Sequence, residues 1–247
     1  VATSPGVGVS VVLVTGSTSG IGLATARRFA ERGDRVVFNS IHSVEVGEHL
    51  AALTPHSHYL QGDIARASDC AHLVDGVLER YGQLDVLVNN AGTTRVIAHR
   101  DLEVASVEVW REIFEVNVFG TWQLSIAAMP ALAQSHGSIV NVSSIAGLRP
   151  TGSSIPYAAS KAALNHMTVL LAKVVGPDVR VNAVAPGLVD TPWTQDWDAV
   201  RGYVQGVAPL RRSGTPDDVA EVIVSLASAS YVTGQVVAVD GGLSIAT

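Results

Sequence analysis

Ser10-Val11-Val12-Leu13-Val14-Thr15-Gly16-Ser17-Thr18-Ser19-Gly20-Ile21-Gly22 reads as an apolar strand running into a glycine-rich turn, and Leu23 to Ala30 follows at once with helical spacing. Each glycine has a use in that context. Gly16 permits a tight turn out of the strand, Gly20 lets backbone approach a phosphate, and Gly22 permits close packing of helix on sheet. The N–H groups that open a helix have no partner within it, so this strand–turn–helix predicts a cradle for a pyrophosphate and hence a dinucleotide.

Outward from this turn, short β-branched runs alternate with longer segments of helical period. Strands are expected over Ser10–Thr15, Arg35–Asn39, His58–Gln61, Leu84–Asn89, Gly137–Val142, Val179–Val184 and Gln235–Val239. Helices are expected over Gly20–Arg32, Val44–Leu53, Ala67–Tyr81, Val107–Gln134, Pro156–Val175 and Pro216–Ser228. The runs at 11–14, 86–88 and 139–142 lack in/out alternation, as strands covered on both faces do. Each parallel pair needs a crossover. The expectation is therefore an α/β, Rossmann-like, doubly wound sheet of seven parallel strands with helices on both faces. Residues 1–9 read as a loose tail and 10–247 as one dinucleotide-binding and catalytic domain. Leu188–Arg212 is the one long stretch without a clear period, a candidate substrate lid holding Trp193, Trp197 and Tyr203.

Composition narrows the function classes. The 247 residues are 47% hydrophobic and 15% charged, enough to bury a sizeable core and too apolar for disorder. A formal net charge of −6 argues against a nucleic-acid backbone as partner. No apolar run reaches the roughly 20 residues of a membrane span. A single cysteine, Cys70, excludes an intrachain disulfide framework, and no signal peptide is evident, which together fit the cytoplasm. His56-x-His58 lacks further nearby ligands, so no metal site is expected.

The Thr15–Gly22 octapeptide, with wider spacing than G-x-G-x-x-G, resembles the coenzyme turn of the short-chain dehydrogenase/reductase family, and the likeness extends over essentially residues 10–243. It implies coenzyme contacts from Gly16, Ser17, Thr18, Ser19, Gly20, Ile21 and Gly22. Asn89-Asn90-Ala91-Gly92 resembles the family's Asn-Asn-Ala-Gly motif, and Asp63 with Ile64 stands where relatives meet the adenine. Pro186, Gly187, Val189 and Thr191 fall where the family holds the nicotinamide carboxamide and phosphates.

Tyr157 and Lys161 are four residues apart, on one helical face. A free phenol titrates near 10. An ammonium at ~4 Å, with an effective dielectric near ~20, is worth ~4 kcal/mol, roughly three pKa units, so the spacing predicts a lowered Tyr157 pKa. Ser144 lies thirteen residues before Tyr157, the family's spacing for the catalytic serine, with Ser143 its backbone-bonding neighbour. Asn117, in an otherwise apolar helical stretch, matches the fourth member of the family's tetrad. The resemblance implies hydride transfer between nicotinamide and a carbonyl or secondary alcohol. In that scheme Tyr157 moves the proton, Ser144 positions the oxygen, Lys161 grips ribose, and Asn117 holds a relay water to solvent.

At the end of the second strand, Asn39-Ser40-Ile41-His42-Ser43 carries no acid. A 2′-phosphate would meet no repulsion, and Ser40, His42 and Ser43 could bond it, so the reading leans to NADP, with NAD as the alternative. Relatives that reduce 3-oxoacyl groups on an acyl carrier protein place basic residues where this chain has Gln134-Ser135-His136 and Gly176-Pro177-Asp178. A free, small, apolar or cyclic alcohol or ketone is therefore the expected substrate, with the carrier-bound 3-oxoacyl group as the alternative. A non-catalytic coenzyme-binding regulator is a third reading, opposed by the complete tetrad. The apolar last strand and the helix before it suggest a homotetramer.

Overall fold

The structure, a computed structural model, describes residues 8–246; most of the expected tail, residues 1–7, lies outside the described residues. Seven strands form one sheet: β1 (Val11–Val14), β2 (Arg35–Ser40), β3 (His58–Gln61), β4 (Val86–Asn89), β5 (Ser138–Val142), β6 (Arg180–Pro186) and β7 (Val236–Val239). Every neighbouring pair is parallel, in the order β3-β2-β1-β4-β5-β6-β7. The chain winds outward from β1 in one direction and from β4 in the other. The switch point thus lies between β1 and β4, where doubly wound sheets open a crevice at their carboxyl ends.

Alternation along β1 divides the core. Val11 and Leu13 pack with α3 (Ala67–Tyr81), α5 (Thr121–Gln134) and α6 (Ile155–Val175) on one face. Val12 and Val14 join Ala26 and Phe29 of α1 (Gly20–Glu31) and Val219 and Ile223 of α8 (Pro216–Ser228) on the other. All four β1 residues are fully buried, which is why the strand reads as a continuous apolar run. By contrast β7, at the sheet's end, is only half-buried, with Ala238 exposed. The helix α2 (Val44–Leu53) completes the second face, its Val44, Leu50 and Ala51 packing on that core.

Four segments depart from expectation. The predicted helix over 107–134 is α4 (Val107–Phe114), a π-helical turn (Glu115–Gly120) and then α5. Gly120 packs so close to Ile64 that a Cβ there would stand 2.9 Å from the Ile64 carbonyl oxygen. The stretch 188–212 holds a 3-10 turn (Pro192–Thr194) and α7 (Asp198–Val207), and a short α9 (Leu243–Ala246) closes the described chain. Residues 90–106, of which the sequence reading singled out only Asn90, Ala91 and Gly92, form a long connection without helix or strand. No described helix is long and apolar enough to cross a membrane.

Candidate active site

The glycine turn leaves β1 at the switch point. Gly16 and Gly20 both take positive φ, 60° and 54°, the region where a side chain is strained. At Gly22 a Cβ would lie 2.5 Å from Asn90 Nδ2 and 2.5 Å from the Gly16 carbonyl oxygen, so only glycine lets α1 approach this closely. The turn is fastened from β4: Asn90 Nδ2 donates to the carbonyls of Thr15 and Gly16, at 2.8 and 3.0 Å. Thr15 Oγ1, absent from the sequence-based site, accepts the N–H groups of both Asn90 and Ala91. Asn39 at the end of β2 accepts the Gly16 N–H. Ser19 precedes α1 without capping it through its side chain, which leaves the helix's first N–H groups available to an anion.

This rim opens into a cavity of about 1150 Å³. Gly16, Ser19, Gly20 and Ile21 line its end at the glycine turn, with Asn90, Ala91 and Gly92 beside them. Ile64, Pro186, Gly187, Val189 and Thr191 also reach it. The strained glycines, the uncapped helix and the cavity's size fit a dinucleotide. Ser17, Thr18, Gly22 and Asp63 do not reach the cavity wall. The Ser17 hydroxyl is turned inward, accepting the Asn39 N–H at 2.9 Å, and Gly22 is packed under Asn90. Asp63 Oδ1 instead accepts the Ala65 N–H. At the β2 end Ser40, His42 and Ser43 all line the cavity, but the buried Ser40 hydroxyl is already bonded to Tyr59 at 2.9 Å. His42 and Ser43 beside it are exposed.

Deeper in, Ser144 follows β5 while Tyr157 and Lys161 sit one turn apart on α6. The helix is set by Ser154, whose hydroxyl accepts the Tyr157 N–H at 3.3 Å, and by Pro156 in its first turn. Ser144, Tyr157 and Lys161 all face the cavity. Ser143 donates its hydroxyl to the Lys161 carbonyl, bracing that turn of helix. Asn117 does not reach the cavity and stands behind Gly92, on the π-helical turn rather than in a regular helix. Both ends of its amide are engaged: Oδ1 accepts the Thr93 N–H at 2.8 Å, and Nδ2 donates to the Thr93 carbonyl and Ser160 Oγ, both at 3.0 Å.

The expected lowering of the Tyr157 pKa is not found in the coenzyme-free site. Burial pushes the phenol up to about 12, and a hydrogen bond with Ser144 only partly opposes this. Lys161 Nζ is 5.7 Å from the phenol ring centre and donates to the Val142 carbonyl at 2.9 Å. Burial lowers the lysine itself to about 8. Desolvation of both groups therefore outweighs the attraction that spacing alone suggested.

Two walls enclose the space beyond Tyr157. One is the 90–106 connection, stapled to residues 152–153. Thr94 Oγ1 meets Ser153 Oγ at 2.6 Å, the Ile97 N–H donates to the Ser153 carbonyl at 2.8 Å, and His99 Nε2 is 3.1 Å from the Gly152 carbonyl. The apolar pair Val96-Ile97 was the sequence signal for this wall. The other is the 188–212 segment, where Trp193 lies edge-on to Tyr157, with ring centres 6.5 Å apart and planes at 71°. Trp197, Tyr203 and Leu243 add further apolar surface. Among the described lining residues Lys161 is the one Lys or Arg and Asp196 the one carboxylate. No described cluster of three His, Cys, Asp or Glu could hold a metal.

Residues 16–244 match the family model described as "Enoyl-(Acyl carrier protein) reductase". A provisionally assigned ketoacyl reductase 2 of the granaticin polyketide synthase of Streptomyces violaceoruber is 58% identical, with 94% of this chain and 95% of that one covered. The 3-oxoacyl-[acyl-carrier-protein] reductase of Thermotoga maritima is 40% identical over 95% of this chain and 98% of its own. A crystal structure of a provisional short-chain dehydrogenase/reductase from Burkholderia xenovorans superposes with a TM-score of 0.90 at 39% identity, covering 96% and 99% of the two chains. The chain belongs to the short-chain dehydrogenase/reductase family, NAD(P)-dependent oxidoreductases that act on CH–OH and C=O groups.

Proposed function

We propose that this protein reduces a ketone on an uncharged, largely apolar cyclic substrate, with NADPH as donor. The observation that carries this reading is the setting of Tyr157: a half-buried side chain whose phenol is bonded to Ser144, flanked by Trp193, in a cavity whose far walls are largely apolar and lack Lys or Arg. A phenol is neutral at pH 7, burial keeps Tyr157 so, and the neutral phenol carries the proton that reduction requires. NADPH supplies the hydride when bound. Gly16, Ser19, Gly20 and Ile21 hold its pyrophosphate, Asn90, Ala91 and Gly92 border it, and Pro186, Gly187, Val189 and Thr191 hold the nicotinamide end. Tyr157 and Lys161 grip the ribose, and His42 and Ser43 bond the 2′-phosphate. Ser144 donates a hydrogen bond to the substrate oxygen, and the Tyr157 proton passes to that oxygen as the carbonyl carbon is reduced. Asn117 holds Thr93 and Ser160, fixing the floor beneath Gly92 and Lys161.

A carrier-bound 3-oxoacyl substrate is the second reading, favoured by the Thermotoga relative's name. Opposing it, the two places where a basic dock is expected meet as His136 and Asp178, 3.9 Å apart, with no Lys or Arg in either segment. NADPH oxidation with 1-tetralone, with trans-1-decalone and with an acetoacetyl thioester separates the two. Higher kcat/KM on the bicyclic ketones supports the cyclic reading, and preference for the thioester overturns it. The further proposals are one catalytic domain over residues 10–247 with its lid at 188–212, a cytoplasmic location and a homotetramer. The half-buried edge strand β7 supports the last of these.

A further inference from the structure

The 188–212 segment is joined to the rest of the fold at its base, where the Asp190 N–H donates to the Gly214 carbonyl and the Gly214 N–H to the Leu188 carbonyl. Beyond that base the chain makes a small knot. Thr194 Oγ1 donates to the Val189 carbonyl at 2.6 Å and accepts the Thr191 N–H at 3.2 Å. Two residues on this knot face opposite parts of the site. Thr191 covers the glycine turn, its Cγ2 3.3 Å from where a Cβ on Gly20 would stand. Trp193 lies against Tyr157.

One side chain ties the knot to α7. Arg201 Nε donates to Asp190 Oδ1 at 2.9 Å, Nη1 to Asp198 Oδ1 at 2.6 Å and Nη2 to the Thr194 carbonyl at 3.2 Å. Its three contacts reach the base of the loop, the 3-10 turn and the start of α7, and the side chain is only 23% exposed. A planar guanidinium can hold three such acceptors in fixed directions, whereas an ammonium is a compact point charge on a flexible stem. Without this clasp, the turn bonds of Thr194 and the packing of Thr191 on Gly20 and of Trp193 on Tyr157 would remain, but nothing would tie the turn to α7.

We infer that Arg201 is a positioning residue that makes Thr191 and Trp193 one rigid unit, so that coenzyme contact and substrate-wall contact are set together. The inference rests on the reading of 188–212 as the lid. It predicts that losing the clasp weakens coenzyme and substrate binding in parallel, with little effect on the chemical step at Tyr157.

The test compares the full-length protein with Arg201→Met and Arg201→Lys. Backbone hydrogen exchange over 190–200, measured without coenzyme, should quicken by about tenfold in Arg201→Met. The Kd for NADPH, from fluorescence titration, and the KM for 1-tetralone should each rise by about tenfold while kcat changes less than about threefold. Arg201→Lys should fall between parent and Arg201→Met in all three. Parent-like exchange in Arg201→Met, or a rise in Kd or KM alone, overturns the proposal. If Arg201→Met fails to fold, Asp190→Asn, which weakens one arm, is read by the same criteria. Failure of the parent to reduce 1-tetralone would count against the proposed substrate class, while exchange and NADPH binding still decide the role of Arg201.

Discussion

Lys161 should make the coenzyme-free protein less stable at neutral pH than it would be without that charge. The ammonium is buried, 4% exposed, and its pKa falls from 10.5 to about 8 because burial penalises the charged form. That gap of about two and a half pH units corresponds to about 3 kcal/mol. Below pH 8 both folded and unfolded chains hold the proton, and the folded state carries the full penalty. Between pH 8 and 10.5 the unfolded chain binds more protons than the folded one, so this group's contribution to stability rises with pH. Lys161→Met removes the charge along with the hydrogen bond to the Val142 carbonyl, worth about 1 kcal/mol. The variant should therefore be more stable by about 2 kcal/mol at pH 7, an advantage that shrinks as pH climbs to 10.5. Urea unfolding of both proteins at matched concentration, from pH 7 to 10.5, measures the difference with other titrations largely cancelled. A variant that is equally or less stable at pH 7, with a difference independent of pH, would refute the argument from burial.

His42→Asp places a carboxylate on the cavity rim where the 2′-phosphate is proposed to sit, and should lower the NADPH-to-NADH ratio of kcat/KM by about tenfold, equivalent to about 1.4 kcal/mol. An unchanged ratio would show that this loop does not face the ribose. Asn117→Ala removes three hydrogen bonds, one buried to Ser160 and two part-buried to Thr93, and should cost about 2–3 kcal/mol in thermal unfolding, together with a fall in kcat. Stability within a few tenths of the parent would contradict that role. Light scattering at micromolar concentration should report about four times the 25.7 kDa chain mass. A mass near the monomer refutes assembly, and one near twice it reduces the tetramer to a dimer.

The sheet was legible because its strands are buried on both faces: Val11–Val14 could satisfy two cores only as a continuous apolar run, and such runs stand out. Local signals also sufficed for α2, α3 and α8, whose bounds agree with the periodicity. What the sequence hid depends on distant partners. The apolar spacing through Trp110, Phe114 and Phe119 reads as one helix, whereas Asn117's bonds to Thr93 and Gly120's contact with Ile64 accompany a π-helical turn within it. Ser40 looked like a free hydroxyl because its partner, Tyr59, lies on the neighbouring strand. Tyr157 and Lys161 were paired correctly by spacing, but spacing carries no information about burial, and burial sets both of their pKa values. The wall at 90–106 has no period to read; it is held by two bonds to Ser153 and one to Gly152, far along the chain.

The neutral Tyr157 phenol is proposed to deliver the proton that completes ketone reduction, and Tyr157→Phe takes that proton away. The substitution removes one oxygen and keeps the ring that packs against Trp193. With NADPH and 1-tetralone, kcat should fall by about a thousandfold or more, a loss of about 4 kcal/mol or more in transition-state stabilisation. NADPH affinity, measured by fluorescence titration, should stay within about threefold of the parent. Turnover within a few-fold of the parent, with coenzyme binding intact, would contradict the account.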